Sequence, residues 1–189
     1  MKRLCLILFV LLLAAPAMAE EPLQLARMSG PMLGSVAAAA EPTLYYSCTG
    51  SDTYDDHASA NVGYATCADI AITTGGSITQ IGFKSATGPY NYDVKLALYN
   101  TSGTRLSTGC EITANILTGW NACTIEPYSV ASSATVRVCR GISAGSINSD
   151  HHNTGNGYWA AAAYADFPAA SYTLITDSGK CHAFSVLVE

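Results

Sequence analysis

Charge is scarce in this 189-residue chain: Asp, Glu, Lys and Arg together make up 12% of it, and 9 basic side chains face 14 acidic ones. A formal charge of −5 with no basic stripe leaves no electrostatic footprint for nucleic acid, whose phosphates are held by clustered Lys and Arg. Low charge does not mean disorder here, because 49% of the residues are hydrophobic and can supply a core. Long apolar runs are also missing. Beyond the first twenty residues no stretch approaches the roughly 18 apolar residues that a transmembrane helix needs. Zinc-type cysteine spacing is absent too, since no pair is separated by two to four residues. There is no phosphate-binding loop, dinucleotide fingerprint or HExxH helix, and no repeat of solenoid length.

What is present begins with Met1-Lys2-Arg3, an apolar run from Leu4 to Ala15, and then Ala17-Met18-Ala19. Charged, apolar and small residues in that order are the pattern of a secretory signal peptide, expected to span residues 1–19. Its removal takes away two of the nine basic residues and one cysteine, Cys5, leaving a formal charge of −7. Residues 20–43, rich in Ala, Pro, Met and Gly, are expected to form a linker or N-terminal tail. A single domain is expected over 44–189. Six cysteines remain in it, an even number suited to an oxidising compartment, so a periplasmic or extracellular location and three disulfides are expected. Six cysteines allow 15 pairings. Sequence context favours Cys110–Cys123, which flank an expected hairpin loop, with Cys48–Cys67 closing the N-terminal region and Cys139–Cys181 joining two late strands.

Period-two alternation dominates the domain. In the stretch 92–99, Tyr92, Val94, Leu96 and Leu98 fall on one face and Asp93, Lys95, Ala97 and Tyr99 on the other, the mark of a half-buried strand. Further strands are expected at 44–48, 63–73, 78–85, 110–114, 120–125, 134–140, 158–164, 172–176 and 182–188, separated by clusters of Gly, Asn, Ser and Pro. Many short strands without intervening helical patterns predict an all-β, antiparallel sandwich.

Four segments in order carry a resemblance: Gly-Ser-Ile-Thr-Gln-Ile-Gly-Phe at 76–83, Tyr-Asp-Val-Lys-Leu-Ala-Leu-Tyr-Asn at 92–100, Ser-Gly-Thr-Arg-Leu at 102–106, and Gly-Trp-Asn-Ala-Cys-Thr-Ile at 119–125. Together they resemble bacterial extracellular jelly-roll modules of the carbohydrate-binding-module-like kind. The resemblance implies a jelly-roll-like sandwich and a non-catalytic binding or adhesion role, with carbohydrate or a cell-surface polymer as partner. The strand that follows departs from the family pattern, carrying Thr135-Val136-Arg137-Val138-Cys139 where Tyr-Trp-Leu-Ala is common, so no ligand contact carries over.

Candidate site residues follow from chemistry. Sugar rings lie with their C–H faces on Tyr or Trp planes while polar groups satisfy the hydroxyl rim. Tyr90, and the segment holding His151, His152, Asn153, Tyr158 and Trp159, offer such mixtures, with 148–157 expected as a polar loop. Asp52, Asp55 and Asp56 form either a solvated acidic turn or a structural calcium site of the kind jelly-roll modules carry. No other cofactor is implied. Gly141-Ile142-Ser143-Ala144-Gly145 matches the G-x-S-x-G elbow, which with His182 leaves a secreted serine hydrolase as an alternative. A structural surface component, assembling through exposed strand edges, is the other.

Overall fold

The computed structural model describes residues 41–48 and 56–189. The expected signal peptide, Cys5, most of the expected linker, Asp52 and Asp55 lie outside the described residues. Among the described residues there are thirteen strands: β1 (Thr43–Tyr46), β2 (Asp56–Asn61), β3 (Tyr64–Ile72), β4 (Gly76–Ser85), β5 (Val94–Tyr99), β6 (Cys110–Ile112), β7 (Gly119–Val130), β8 (Ala134–Ile142), β9 (Ser146–His152), β10 (Asn156–Ala161), β11 (Ile175–Ser178), β12 (Cys181–His182) and β13 (Phe184–Val188). Among the described residues the helical content is one 3₁₀ turn at Tyr164–Asp166, and no helix is long and apolar enough to cross a membrane.

The strands make two antiparallel sheets. One contains β1, β13, β4, β9 and β12, with β7 also paired to β4 and β2 to β9; the other runs β11-β10-β3-β8-β5-β6. From β2 to β5 and from β7 to β10 the chain alternates between the sheets at every strand, which is a jelly-roll-like winding. Alternation in sequence explains the layering. Ile78, Ile81 and Phe83 of β4, Ile70 and Ile72 of β3, Leu96 and Leu98 of β5, and Val136 and Val138 of β8 are all buried between the sheets. Burying such a Val, Leu, Ile or Phe side chain stabilises the fold by about 1.5–3 kcal/mol each, opposed by chain entropy.

A second, smaller apolar cluster lies on the outer face of the second sheet. Ala65, Cys67, Ala97, Tyr99 and Cys139 are covered there by Phe167, with Tyr172 and Leu174 packed alongside. Tyr99 donates a 3.0 Å hydrogen bond to the Ala169 carbonyl, tying the covering segment down. Both faces of β3, β5 and β8 are thus largely buried, although β5 carries Lys95 and β8 carries Arg137 and Arg140.

All six domain cysteines are paired, but two of the three expected pairings are corrected. Cys67 bonds Cys139, not Cys48, because β3 and β8 are neighbours whose register sets these two residues opposite each other, 4.1 Å apart at Cα. Cys48 bonds Cys181, not Cys67, because the chain leaving β1 is held against the start of β13 by the Ser47 N–H donating to the Phe184 carbonyl. Cys110–Cys123 forms as expected. Its setting differs, however: Cys110 is on β6 of one sheet and Cys123 on β7 of the other, so the bridge staples sheet to sheet and does not cross a hairpin.

Several strands depart from expectation: β2 (Asp56–Asn61) was not expected as a strand, and β11 falls at Ile175–Ser178 where 172–176 was expected. Of the expected polar loop 148–157, residues 148–152 instead belong to β9, whose Ser146–His151 pair with β2. Tyr92 and Asp93 precede β5, which starts at Val94.

Candidate functional site

A cleft of about 310 Å³ opens where the two sheets part, lined by Asn61, Tyr64, Thr66, Tyr158, Trp159, Asp177 and His182. Asn61 and His182 come from the sheet of β2 and β12; the others come from β3, β10 and β11 of the facing sheet. Register explains how they converge. Trp159 is paired with Thr66 on one side and Ile175 on the other, so its indole shares the inner face with Thr66. Tyr64, two residues before Thr66 on β3, also shares that face. Its ring meets Trp159 edge to face at 5.5 Å between centroids and is 44% exposed. Asp177 pairs with Gly157, two residues before Trp159, which puts its carboxylate on the same face.

Gly157 is what lets the rear wall close. A Cβ there would lie 2.0 Å from the Lys180 carbonyl oxygen and 3.4 Å from His182 Cδ2. The absence of a side chain admits the Lys180–His182 segment against β10. His182 is only 5% exposed, and its Nδ1 lies 3.2 Å from Ser149 Oγ. Ser149 Oγ in turn accepts a 2.7 Å hydrogen bond from Arg140 Nη2. Arg140 points from β8 into the interior at 1% exposure, with its guanidinium carbon 5.1 Å from the Phe83 ring centroid and 5.5 Å from that of Phe184. Among the described residues its Nε and Nη1 have no hydrogen-bond partner. Desolvation lowers its pKa to about 9, so the group remains a cation at neutral pH. Burial, reinforced by the neighbouring Arg140, His151 and Lys180 charges, pushes His182 well below its ordinary value near 6.5. The rear of the cleft is therefore a neutral imidazole backed by a buried cation.

The expected site residues are partly brought together. Trp159 is in the cleft. Tyr158 borders it, but its ring turns to the opposite face, where Arg137 Cζ stands 3.6 Å from the ring centroid and Asp69 receives the same guanidinium at 2.6 and 2.9 Å. Burial first, then the Asp69 carboxylate, raises the Tyr158 phenol. His151 and His152 are both buried on β9, with side chains on opposite faces as adjacent strand residues must be. The His151 ring is 6.2 Å from His182, behind the cleft, and its Nε2 contacts Asn153 Oδ1 at 3.1 Å. Tyr90 is elsewhere: it stacks on Tyr92 at 5.7 Å, shares a hydrogen bond with Thr87 Oγ1, and accepts another from the Asn148 N–H. Asp56 opens β2 opposite His151. Among the described residues no group of three or more His, Cys, Asp or Glu gathers as a metal cluster.

Asn61, Tyr64, Thr66 and Asp177 were not singled out by sequence, and His182 was noted only as a partner for Ser143. An exposed aromatic directly after the Asn61-Val62-Gly63 turn was the one available signal, and it takes the sheet register to connect it with Trp159.

The Gly141–Gly145 motif serves the connection that carries the chain from β8 in one sheet to β9 in the other. Ser143 Oγ accepts the Asp93 N–H at 2.8 Å, and strand β9, not a helix, follows. A Cβ at Gly141 would touch the Phe167 ring at 3.1 Å, while Gly145 adopts φ +60° against the Tyr92 hydroxyl. His182 bonds Ser149, from β9, and no contact joins it to Ser143 among the described residues.

No family model and no curated protein matches the chain. Among solved structures, a chain in the structure of infectious bursal disease virus Gt strain aligns with 92% of this chain and 45% of its own length, so this chain spans under half of it. The identity is 13% and the TM-score 0.26, a likeness too slight to bear on fold or activity.

Proposed function

We propose that the protein is an exported, non-catalytic binding module whose ligand is carbohydrate, held in the cleft between the sheets. The observation that carries this is the Tyr64–Trp159 pair, two exposed or half-exposed aromatic rings at the mouth of a cleft whose remaining lining side chains include Asn61, Thr66, Asp177 and His182. An apolar ring surface beside convergent hydroxyl, amide, carboxylate and imidazole groups matches what a sugar presents: C–H faces and a hydroxyl rim. Three disulfides in one domain, together with the charged and apolar N-terminal pattern, support export.

The test is retention on a panel of insoluble polysaccharides, comparing the wild type with Tyr64→Ala and Trp159→Ala. Both variants are expected to keep the wild-type far-ultraviolet dichroism and cooperative thermal unfolding, and to lose retention. Retention unchanged in both would remove the cleft from consideration. Absence of retention together with concentration-dependent assembly would favour a structural surface protein instead.

A further inference from the structure

The cleft uses one face of β10. Neighbouring residues on a strand point to opposite faces, so the register that gathers Trp159 with Thr66 and Asp177 gathers a different set on the other side. Tyr158 pairs with Thr176 of β11 and with Cys67 of β3; Asp69, two residues beyond Cys67, pairs with Arg137 of β8. Thr176, Tyr158, Asp69 and Arg137 therefore share the outer face. They line a trough of about 560 Å³ there, together with Tyr172, Thr173 and Leu174 of the segment before β11 and with Thr101 and Ser102 after β5. Its floor is held rigidly. Arg137 is 4% exposed, donates to both Asp69 carboxylate oxygens and to the Thr101 carbonyl at 3.0 Å, and lays its guanidinium against the Tyr158 ring. Tyr172 is stacked on Phe167 at 6.1 Å between centroids, and its hydroxyl accepts the Ala169 N–H at 3.2 Å. A second hollow of about 620 Å³, with Leu44, Tyr45 and Tyr46 of β1 in its lining, shares Asp69 with the first, so the two meet and make a path longer than either.

We infer that this outer trough is a second binding site, for an uncharged glycan chain, and that the protein is bivalent, with one chain in the cleft and another on the opposite face of the same sheet. The inference goes beyond the single cleft and rests on the carbohydrate proposal for the class of ligand. The lining chemistry selects that class. The Tyr158 and Tyr172 rings and Leu174 offer apolar surface to C–H faces, while the hydroxyls of Thr101, Ser102, Thr173 and Thr176 and the 28% exposed Asp69 side chain meet a hydroxyl rim. Charge argues for a neutral chain, because Asp69 and Arg137 are the charged residues lining the trough and they neutralise each other. A protein partner fits less well, since its interface core needs apolar anchors and most of this lining is hydroxylated or ion-paired. Two sites on one rigid domain let it grip two chains, or two stretches of one, more tightly than either site alone. Retention on an insoluble polysaccharide then depends on both.

The experiment is calorimetric titration of the full chain with cellohexaose, xylohexaose, mannohexaose and chitohexaose, paired with turbidity on adding the protein to the matching soluble polysaccharide. The wild type should bind a hexasaccharide at two sites and cloud the polymer by cross-linking it. Trp159→Ala should leave the trough site alone, and Thr176→Arg should leave the cleft site alone, since Thr176 is exposed and a long side chain there obstructs the trough without entering the core. Either variant should stop the clouding and bind the polymer at least about tenfold more weakly, and the double variant should bind nothing. Tyr158→Ala should match Thr176→Arg; should it fail to fold, Thr176→Arg decides alone. A single site that Trp159→Ala abolishes and Thr176→Arg leaves intact overturns this inference while the cleft proposal stands. Self-association of the wild type that Thr176→Arg abolishes would make the trough a contact between protein copies and overturn it as well. Binding of none of the four hexasaccharides overturns both.

Discussion

Removing the disulfides one at a time, by paired Cys→Ala substitution, should cost stability in an order set by the loops they close. The closed loops span sequence separations of 133 for Cys48–Cys181, 72 for Cys67–Cys139 and 13 for Cys110–Cys123. Loop-closure entropy of the unfolded chain then gives losses of about 5, about 4.4 and about 2.9 kcal/mol in that order. Packing sharpens the contrast. Cys67 and Cys139 are fully buried between Ala65, Ala97 and Phe167, so losing their sulfur atoms also removes core contacts, whereas Cys110 and Cys123 are half-buried. The Cys110→Ala/Cys123→Ala protein should therefore be the most stable of the three double variants. For a domain of this size the entropic gap of about 1.5–2 kcal/mol corresponds to roughly 3–8 °C in melting temperature. Thermal unfolding under non-reducing conditions, with peptide mapping to verify the two bridges left in each variant, provides the comparison. If the short-loop variant melts at or below the other two, the ranking by loop length and burial is refuted.

Three other outcomes follow from the cleft and its supports. Because His182 in the fold sits well below its ordinary pKa, the unfolded chain binds the additional proton as pH falls through about 6.5, and folding stability should decline toward acid. Urea midpoints at about pH 7.5 and 5.5 should differ more for the wild type than for His182→Gln; an equal difference would remove His182 as the source. Gly157→Ala should destabilise the domain by about 1–3 kcal/mol and weaken any ligand binding, since the new Cβ meets the Lys180 carbonyl oxygen at 2.0 Å, and unchanged stability and binding would contradict the close approach. Ser143→Ala should leave any ester-hydrolysing activity of the purified protein unaltered, because Ser143 is occupied with the Asp93 backbone; a loss of turnover would restore the hydrolase alternative.

How legible these features were depended on whether a strand alternates apolar with polar residues. The 92–99 stretch does so, and β5 with its inward Val94, Leu96 and Leu98 was predictable to within two residues. Strand β9, Ser-Ile-Asn-Ser-Asp-His-His, does not. Its inner face carries Ser149 and His151 because the interior there is polar, organised around Arg140, so no hydrophobic period marks it as a strand. Cysteine pairing failed for a related reason. Cys67 and Cys139 are joined by the register of β3 with β8, a relation between residues 72 apart that local context does not reveal. For the site, Trp159 was visible as an aromatic among polar residues. Tyr64, Thr66 and Asp177 became its neighbours only through the β11-β10-β3 register. Tyr158 illustrates the same limit in reverse: adjacent to Trp159 in sequence, it faces Arg137 on the other side of the sheet.

The chain has two tryptophans, and they allow a direct test of carbohydrate binding in the cleft. Trp120 packs against Tyr46, 5.2 Å between ring centroids, outside the residues that line the cleft. In Trp120→Phe the remaining indole, Trp159, reports on the cleft alone. Titrating that protein with a neutral oligosaccharide from the polysaccharide it retains should give a saturable change in indole emission, absent from Trp159→Phe under the same conditions. Emission that stays constant while the sugar binds, or a change that persists in Trp159→Phe, would contradict carbohydrate binding at this cleft.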